Sequence, residues 1–283
     1  MTQHIFLSPH LDDAVLSCGG LLAQLTRQQQ PVRVINIFAG SPPKDHPLSA
    51  FARYQHRQWS KALATQVPQP SGNKTPHPSS FVALRRAEDA AALSHFNAQV
   101  SYLNFPDCIY RGKAERNMWY YTADEDIFGP LHPAEAGLPQ KIFRALQREI
   151  ETTSALRLYA PLGVGNHVDH QLTVLAAAQL AKQGYPLTFY EDYPYAQRNP
   201  GDVSRAVQNC SQILAASLQP APVFLSETRL RVKIRAISAY TSQLETLFGG
   251  QNAMKQQVTT FARAVGNGQL AEQLWQRKDA SPI

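Results

Sequence analysis

The sequence predicts an α/β fold with a mostly parallel central sheet covered by helices on both faces. Two observations carry this. Short apolar, β-prone runs alternate with segments of helical periodicity over the first two thirds of the chain. The most polar, chemistry-bearing segments then fall just beyond the ends of those apolar runs, at the sheet edge where open parallel sheets bind ligands.

The elements follow in order. His4–Ser8 reads as the first strand, and a helical stretch runs from Ala14 to about Gln30. Val32–Phe38 reads as the second strand, Val100–Phe105 as the third, Leu156–Ala160 as the fourth and Leu187–Tyr190 as the fifth. Between them lie helical segments at Ala83–Phe96, Lys141–Thr152 and Gln171–Gln183, the last stopped by Gly184. Ile142, Phe143, Leu146 and Ile150 share one helical face. Ser226 suits the cap of one long helix, with Leu230, Ile234, Ile237, Leu244 and Phe248 at helical spacing and Gly249-Gly250 as its stop. The expectation is one domain over residues 1–283, with an α/β core at about 1–195 and a C-terminal helical extension at about 226–275. Gln66–Ser80 and Arg111–Gln140 read as loops.

Composition narrows the function. Of the 283 residues, 43% are hydrophobic and 17% charged, enough for a sizeable core. The net charge of +6 comes from few acids rather than from a basic run, which argues against nucleic acid as a partner. The three cysteines, Cys18, Cys108 and Cys210, form no C-x-x-C pair, so neither a disulfide framework nor a thiolate metal site is expected. No apolar run reaches the ~18 residues of a membrane span, and the first residues read as a strand rather than a secretion leader, so a cytoplasmic protein is expected. Self-association is left open.

The first strand runs into Ser8-Pro9-His10-Leu11-Asp12-Asp13, and the fourth runs, after a few residues, into Asn166-His167-Val168-Asp169-His170. Residues three apart in a first helical turn point the same way, which suits His10 with Asp13 and His167 with His170. His10, Asp13 and His170 make a two-histidine, one-carboxylate set with an open position. Asp12 and His167 are left beside the metal, a carboxylate to take a proton from water and a histidine to stabilise an oxyanion or protonate a leaving amine. Asp169 suits a partner that holds a histidine ring. Either segment alone is better read as a helix N-cap; their pairing at one sheet edge favours the metal site. Asp192 ends the fifth strand at the same edge and suits either a pocket residue or a turn. Trp119, Tyr120 and Tyr121 suit either a wall that stacks on a ligand ring or a minor core, and Arg111 and Asp107 suit polar ligand contacts. Gly163-Val164-Gly165 lacks the third glycine of a dinucleotide loop, so no NAD site is expected.

Pro9-His10-Leu11-Asp12-Asp13 resembles the P/A-H-P-D-D-E signature of the PIG-L/LmbE-like deacetylases, and His167-Val168-Asp169-His170 resembles their H-P-D-H motif. Gly19-Gly20, Arg85-Arg86-Ala87-Glu88, Asp107 and Tyr240-Thr241-Ser242-Gln243 extend the resemblance. It implies a Rossmann-like fold and zinc-dependent removal of an acetyl group from an amino sugar. It also implies His10, Asp13 and His170 as ligands, Asp12 as base, His167 as electrophilic partner, and Arg85 and Asp107 as sugar contacts. Leu11, Ala14 and Val168 depart from the motifs without removing a ligand or the base. The Asp107–Arg111 segment looks most like bacterial members acting on glycopeptide-antibiotic sugars, so the expected partner is a small amino-sugar conjugate. Fe²⁺ can replace Zn²⁺ at an N/O site. The competing readings are a non-catalytic sugar- or nucleotide-binding module and a non-haem iron oxygenase.

Overall fold

In the computed structural model the described residues are 1–42, 46–64, 78–150 and 155–279. The expected loop at Gln66–Ser80 lies outside them up to residue 77, as does His77. In chain order the elements are β1 (Gln3–Ser8), α1 (Asp13–Arg27), β2 (Val32–Asn36), α2 (Ala50–Ala64), α3 (Pro78–Ser94) and β3 (Gln99–Tyr102). A short hairpin, β4 (Gly112–Lys113) with β5 (Met118–Trp119), precedes α4 (Asp124–Ile127) and α5 (Leu138–Glu149). Then come β6 (Leu156–Pro161), α6 (Val168–Lys182), β7 (Leu187–Tyr190), α7 (Tyr195–Arg198) and α8 (Pro200–Leu214). The chain continues with β8 (Leu218–Pro220), β9 (Val223–Phe224), α9 (Glu227–Ile237), α10 (Thr241–Phe248), α11 (Gln251–Val265), β10 (Ala271–Glu272) and β11 (Leu274–Arg277).

The central sheet has seven strands in the order β3-β2-β1-β6-β7-β11-β8. From β3 to β7 all pairings are parallel; β11 runs antiparallel to both of its neighbours. The five expected strands are therefore the parallel part, and the crossovers diverge between β1 and β6. The chain segments leaving these two strands bound the crevice of a doubly wound sheet. Strand alternation feeds two cores. Phe6 packs with α1, α9 and α11 residues on one face, whereas Ile5 and Leu7 pack with α5, α6 and α8 residues on the other. Ile142, Phe143, Leu146 and Ile150 are all buried, as their shared face requires.

Two expectations need correction. The single long C-terminal helix is two: Ser226 caps α9 through Arg229 N, but the helix breaks after Ile237. The break is demanded by α3. Tyr240 Oη donates to Asp89 (2.9 Å), while Thr241 Oγ1 and the Ser242 amide and hydroxyl bind Glu88 at 2.6–2.7 Å. A continuous helix cannot present these groups together. The Arg111–Gln140 stretch is also not plain loop, since it carries the hairpin, α4 and the start of α5.

Helix α1 is bent at Cys18, whose φ/ψ of −121°/16° leaves helical space. The amides of Gly20 and Leu21 are thereby released and donate to Glu272 at 2.7 and 2.8 Å. Lys233 of α9 completes the junction, with Nζ 2.7 Å from Glu272 and 3.4 Å from Ser17 O. A Cβ on Gly19 would meet Lys233 Cγ at 2.7 Å, and one on Gly20 would meet Leu225 Cδ1 at 2.4 Å. The Gly19-Gly20 pair thus lets the C-terminal segment approach α1.

Candidate active site

Residues 8–13 turn tightly out of β1. Ser8 Oγ donates to His10 O (2.6 Å) and accepts from Ala14 N (3.1 Å), and the His10 amide donates to Asp13 Oδ2 (2.8 Å). Across the crevice, His167 caps α6, its Nδ1 accepting from Asp169 N at 3.2 Å. That cap starts α6 three residues before the expected Gln171 and carries His170 on its first turn.

His10, Asp13 and His170 converge. His10 Nδ1 and His170 Nε2 lie 3.2 and 3.3 Å from the same atom, Asp13 Oδ2. One donor atom from each residue falls within 4.8 Å of the others. His170 Nε2 is buried and has no hydrogen-bond partner among the described residues, although it faces that carboxylate. An orphaned nitrogen beside a carboxylate oxygen fits a cation between them. The electrostatics agree. Burial opposes charge on His170, yet Asp13 and Asp192 overcome it and push its pKa up to about 9. Positive charge is drawn to this spot.

Each histidine is held from behind. His10 Nε2 donates to Asp169 Oδ2 (3.0 Å), and His170 Nδ1 donates to Asp192 Oδ1 (2.6 Å). Two other groups, His10–His167–Asp169 and Asp107–Cys108–Asp169, are as compact. They suit a metal less well. Both oxygens of Asp169 already accept from Arg111, Cys108 N and His10. Burial, with Asp169 and Asp107 nearby, holds the Cys108 thiol far above its usual pKa.

Asp12 and His167 flank the cluster. Asp12 is buried, with Oδ2 3.4 Å from Arg85 Nη2. Burial pushes its carboxyl upward against the pull of Arg85. His167 is depressed by burial and by His10, so its ring is neutral. Because Nδ1 accepts the Asp169 amide, the proton sits on Nε2. His10, Asp12, Asp13 and His167 line a cavity of about 140 Å³ with Arg85, Asp107, Trp59, Tyr195, Gln243 and Leu247. A larger groove of about 640 Å³ lies at the opposite end of the strands and contains none of these groups.

Three expected substrate contacts lie elsewhere. Asp192 is 1% exposed and spends its second oxygen on the Gly163 and Val164 amides, so it supports His170 instead of facing a ligand. Arg111 is buried between Glu135 and Asp169. Trp119 is half-buried, edge-on to His46 and bonded to Asn117, Tyr120 stacks on His132 and Tyr121 is buried, and none of the three lines this cleft. Tyr195 of α7 lines the cleft, as does Trp59 of α2, with the Arg85 guanidinium 5.5 Å over the Trp59 ring. No sequence signal singled out Trp59: its helix was not anticipated. His56 packs against Trp59, Phe81 and Tyr110.

Comparison with known proteins gives the family. Residues 5–181, more than half of the chain, match the family described as PIG-L, GlcNAc-PI de-N-acetylase. A 2'-N-acetylparomamine deacetylase from Niallia circulans is 32% identical over 200 residues, covering 69% of this chain and 68% of that protein. One from Streptomyces fradiae is 31% identical over 247 residues, covering 85% and 73%. The zinc-inhibited form of teicoplanin deacetylase Orf2 superposes with a TM-score of 0.76 at 26% identity, over 99% of this chain and 100% of that one. The A40926 pseudoaglycone deacetylase Dbv21 gives 0.71 at 25%, over 99% of each. With the two motifs, the sheet that carries them and the matched length in agreement, the chain belongs to the PIG-L family of metal-dependent de-N-acetylases.

Proposed function

We propose that the chain is a zinc-dependent deacetylase that hydrolyses the acetamide of an N-acetylated amino sugar within a small glycoside conjugate. The observation that carries this is the convergence of His10, Asp13 and His170 on one point, with an orphaned nitrogen, beside an unligated carboxylate and a neutral imidazole. His10, Asp13 and His170 would hold the metal. When bound, the ion supplies Lewis acidity, activating water and polarising the acetamide carbonyl. Two nitrogens and one oxygen suit Zn²⁺, and Fe²⁺ can take the same donors.

The remaining residues do the proton work. Asp12 accepts a proton from the attacking water, and its raised affinity for protons suits a base that must later give one up. His167 Nε2–H is the donor for the charge that develops on the carbonyl oxygen. Arg85 and Asp107 line the cleft and suit sugar hydroxyls, and Trp59 offers an apolar face to the ring. Asp169 and Asp192 hold the ligand rings. Residues 1–283 act as one unit on this reading, because Glu272 and Lys233 reach back to α1.

The substrate class draws support from relatives named for deacetylating acetylparomamine and for acting in teicoplanin biosynthesis. Acetate release should be measured with 2'-N-acetylparomamine, N,N'-diacetylchitobiose and free N-acetylglucosamine. Asp12→Asn should keep one zinc per chain and lower kcat on the best of them by about 10²–10⁴-fold. Wild-type kcat in that variant would move the base elsewhere, and loss of its zinc would mean that Asp12 is a ligand.

A further inference from the structure

We propose that Arg111 and Glu135 are a positioning pair that sets the metal affinity of the His10–Asp13–His170 centre, acting through Asp169 and His10. The proposal rests on the metal reading above.

The two residues end a chain of bonds that begins at the centre. His10 directs Nδ1 at Asp13 and Nε2 at Asp169. Asp169 is 0% exposed. Its Oδ2 accepts from His10 and, at 3.1 Å, from Cys108 N, while Oδ1 accepts from Arg111 Nη1 at 2.5 Å. The Arg111 fork turns its other edge to Glu135, with Nε–Oε1 at 2.5 Å and Nη2–Oε2 at 3.1 Å. Tyr121 Oη closes the chain on Glu135 at 2.6 Å. The guanidinium lies 5.0 Å from the Phe38 ring centroid and 5.5 Å from that of Tyr121.

Stability alone is a weak reason for such an arrangement. Buried ion pairs can usually be replaced by apolar side chains at little cost. What apolar groups cannot do is hold a carboxylate at a fixed rotation. With a donor on each oxygen, Asp169 has one orientation, and so does the imidazole that donates to it. Ligand rings fixed by outer partners bind metal more tightly, commonly by 10–100-fold. The bidentate grip from Glu135 in turn fixes the plane of the Arg111 fork. Arg111 and Glu135, both within the stretch read as loop, thus brace the metal centre.

The test uses the full chain stripped of metal, with Zn²⁺ affinity read by competition with a chromophoric chelator and with the Co²⁺ d–d spectrum as a second readout. Arg111→Gln should raise the Zn²⁺ Kd by about 10–100-fold and alter the Co²⁺ spectrum. Arg111→Lys, which restores charge but not the fork, should recover part of the loss, and Glu135→Gln should give a smaller rise. A lowered melting temperature with Kd within about twofold of wild type would reduce the pair to packing and overturn the proposal. Should Arg111→Gln not fold, an unchanged Kd in both Arg111→Lys and Glu135→Gln overturns it equally. A wild-type chain that binds no Zn²⁺ would sink the metal reading itself, and this proposal with it.

Discussion

Helix α1 meets buried charge at two places and treats it in opposite ways. At its bend, Glu272 accepts from two released amides and from Lys233, which also reaches Ser17 O. Every ionised atom there has a partner. At its first turn, Asp12 and Asp13 sit among His10, His167 and His170, and the pairing is incomplete: His170 Nε2 faces a carboxylate without a hydrogen bond. Both clusters are buried and both mix acid with base. The satisfied one holds elements together. The unsatisfied one is the cluster proposed above to hold a cation, and it occupies the sheet edge where ligands bind in open parallel sheets. Completeness of pairing, rather than burial or charge, separates architecture from chemistry here.

The largest effect that would break this contrast is at His170. On the metal reading, His170→Ala should bring zinc content, by elemental analysis, from one per chain to near zero, because two ligands remain. The fold should survive, since Asp192 keeps the Gly163 and Val164 amides when the ring is lost. Full zinc occupancy, or a chain that unfolds, would make the first-turn cluster as structural as the bend.

The reciprocal experiment is at the bend. Glu272→Ala strands a buried ammonium and two amides, and should lower stability by about 3–5 kcal/mol in denaturant titration. Zinc should still bind at one per chain. The double change Lys233→Met with Glu272→Gln removes both charges and keeps an acceptor for one of the two amides, so part of the loss should return. A double variant as unstable as the single one would show that the ion pair itself, and not the avoidance of an unpaired charge, stabilises the junction.

The smallest effect concerns a third buried acid that belongs to neither class. Burial pushes Asp89 up to about 7 even though Tyr240 and Asn36 donate to it. In the unfolded chain an aspartate titrates near 3.9. A raised native pKa means that its stabilising contribution is full below about 4 and is lost as pH rises through about 7. Asp89→Asn should therefore flatten the decline in melting temperature between those values. An identical slope in wild type and variant would place the titration elsewhere.

Much of this was legible in the sequence, and the failures have common causes. The parallel strands are long apolar runs, so β1, β2, β6 and β7 were found nearly to the residue. The convergence of His10, Asp13 and His170 was legible because strand ends fix an edge and three-residue spacing fixes a side. What failed depends on partners far away in the chain. Arg111 and Asp192 lie at the right edge, but their directions are set by Glu135 and Asp169 and by His170. The periodicity of Leu230 to Phe248 runs straight across a break that only Glu88 and Asp89 impose. Strand β11 has four residues, one of them the buried polar Gln276, and gives no apolar run to read. Trp59 was missed for Trp119 because a long loop near the edge looked like a wall, whereas the cleft aromatics come from helices.

The tie between Glu272 and the amides of Gly20 and Leu21 also orders events in time. These contacts span 252 and 251 residues, and contacts so distant in sequence form late. During synthesis, residues 1–27 leave the ribosome long before residue 272, and until then the two amides at the bend lack their acceptor. Helix α1 carries Asp13 at its start. The segment that opens the candidate active site is thus among the first parts made and among the last to be finished.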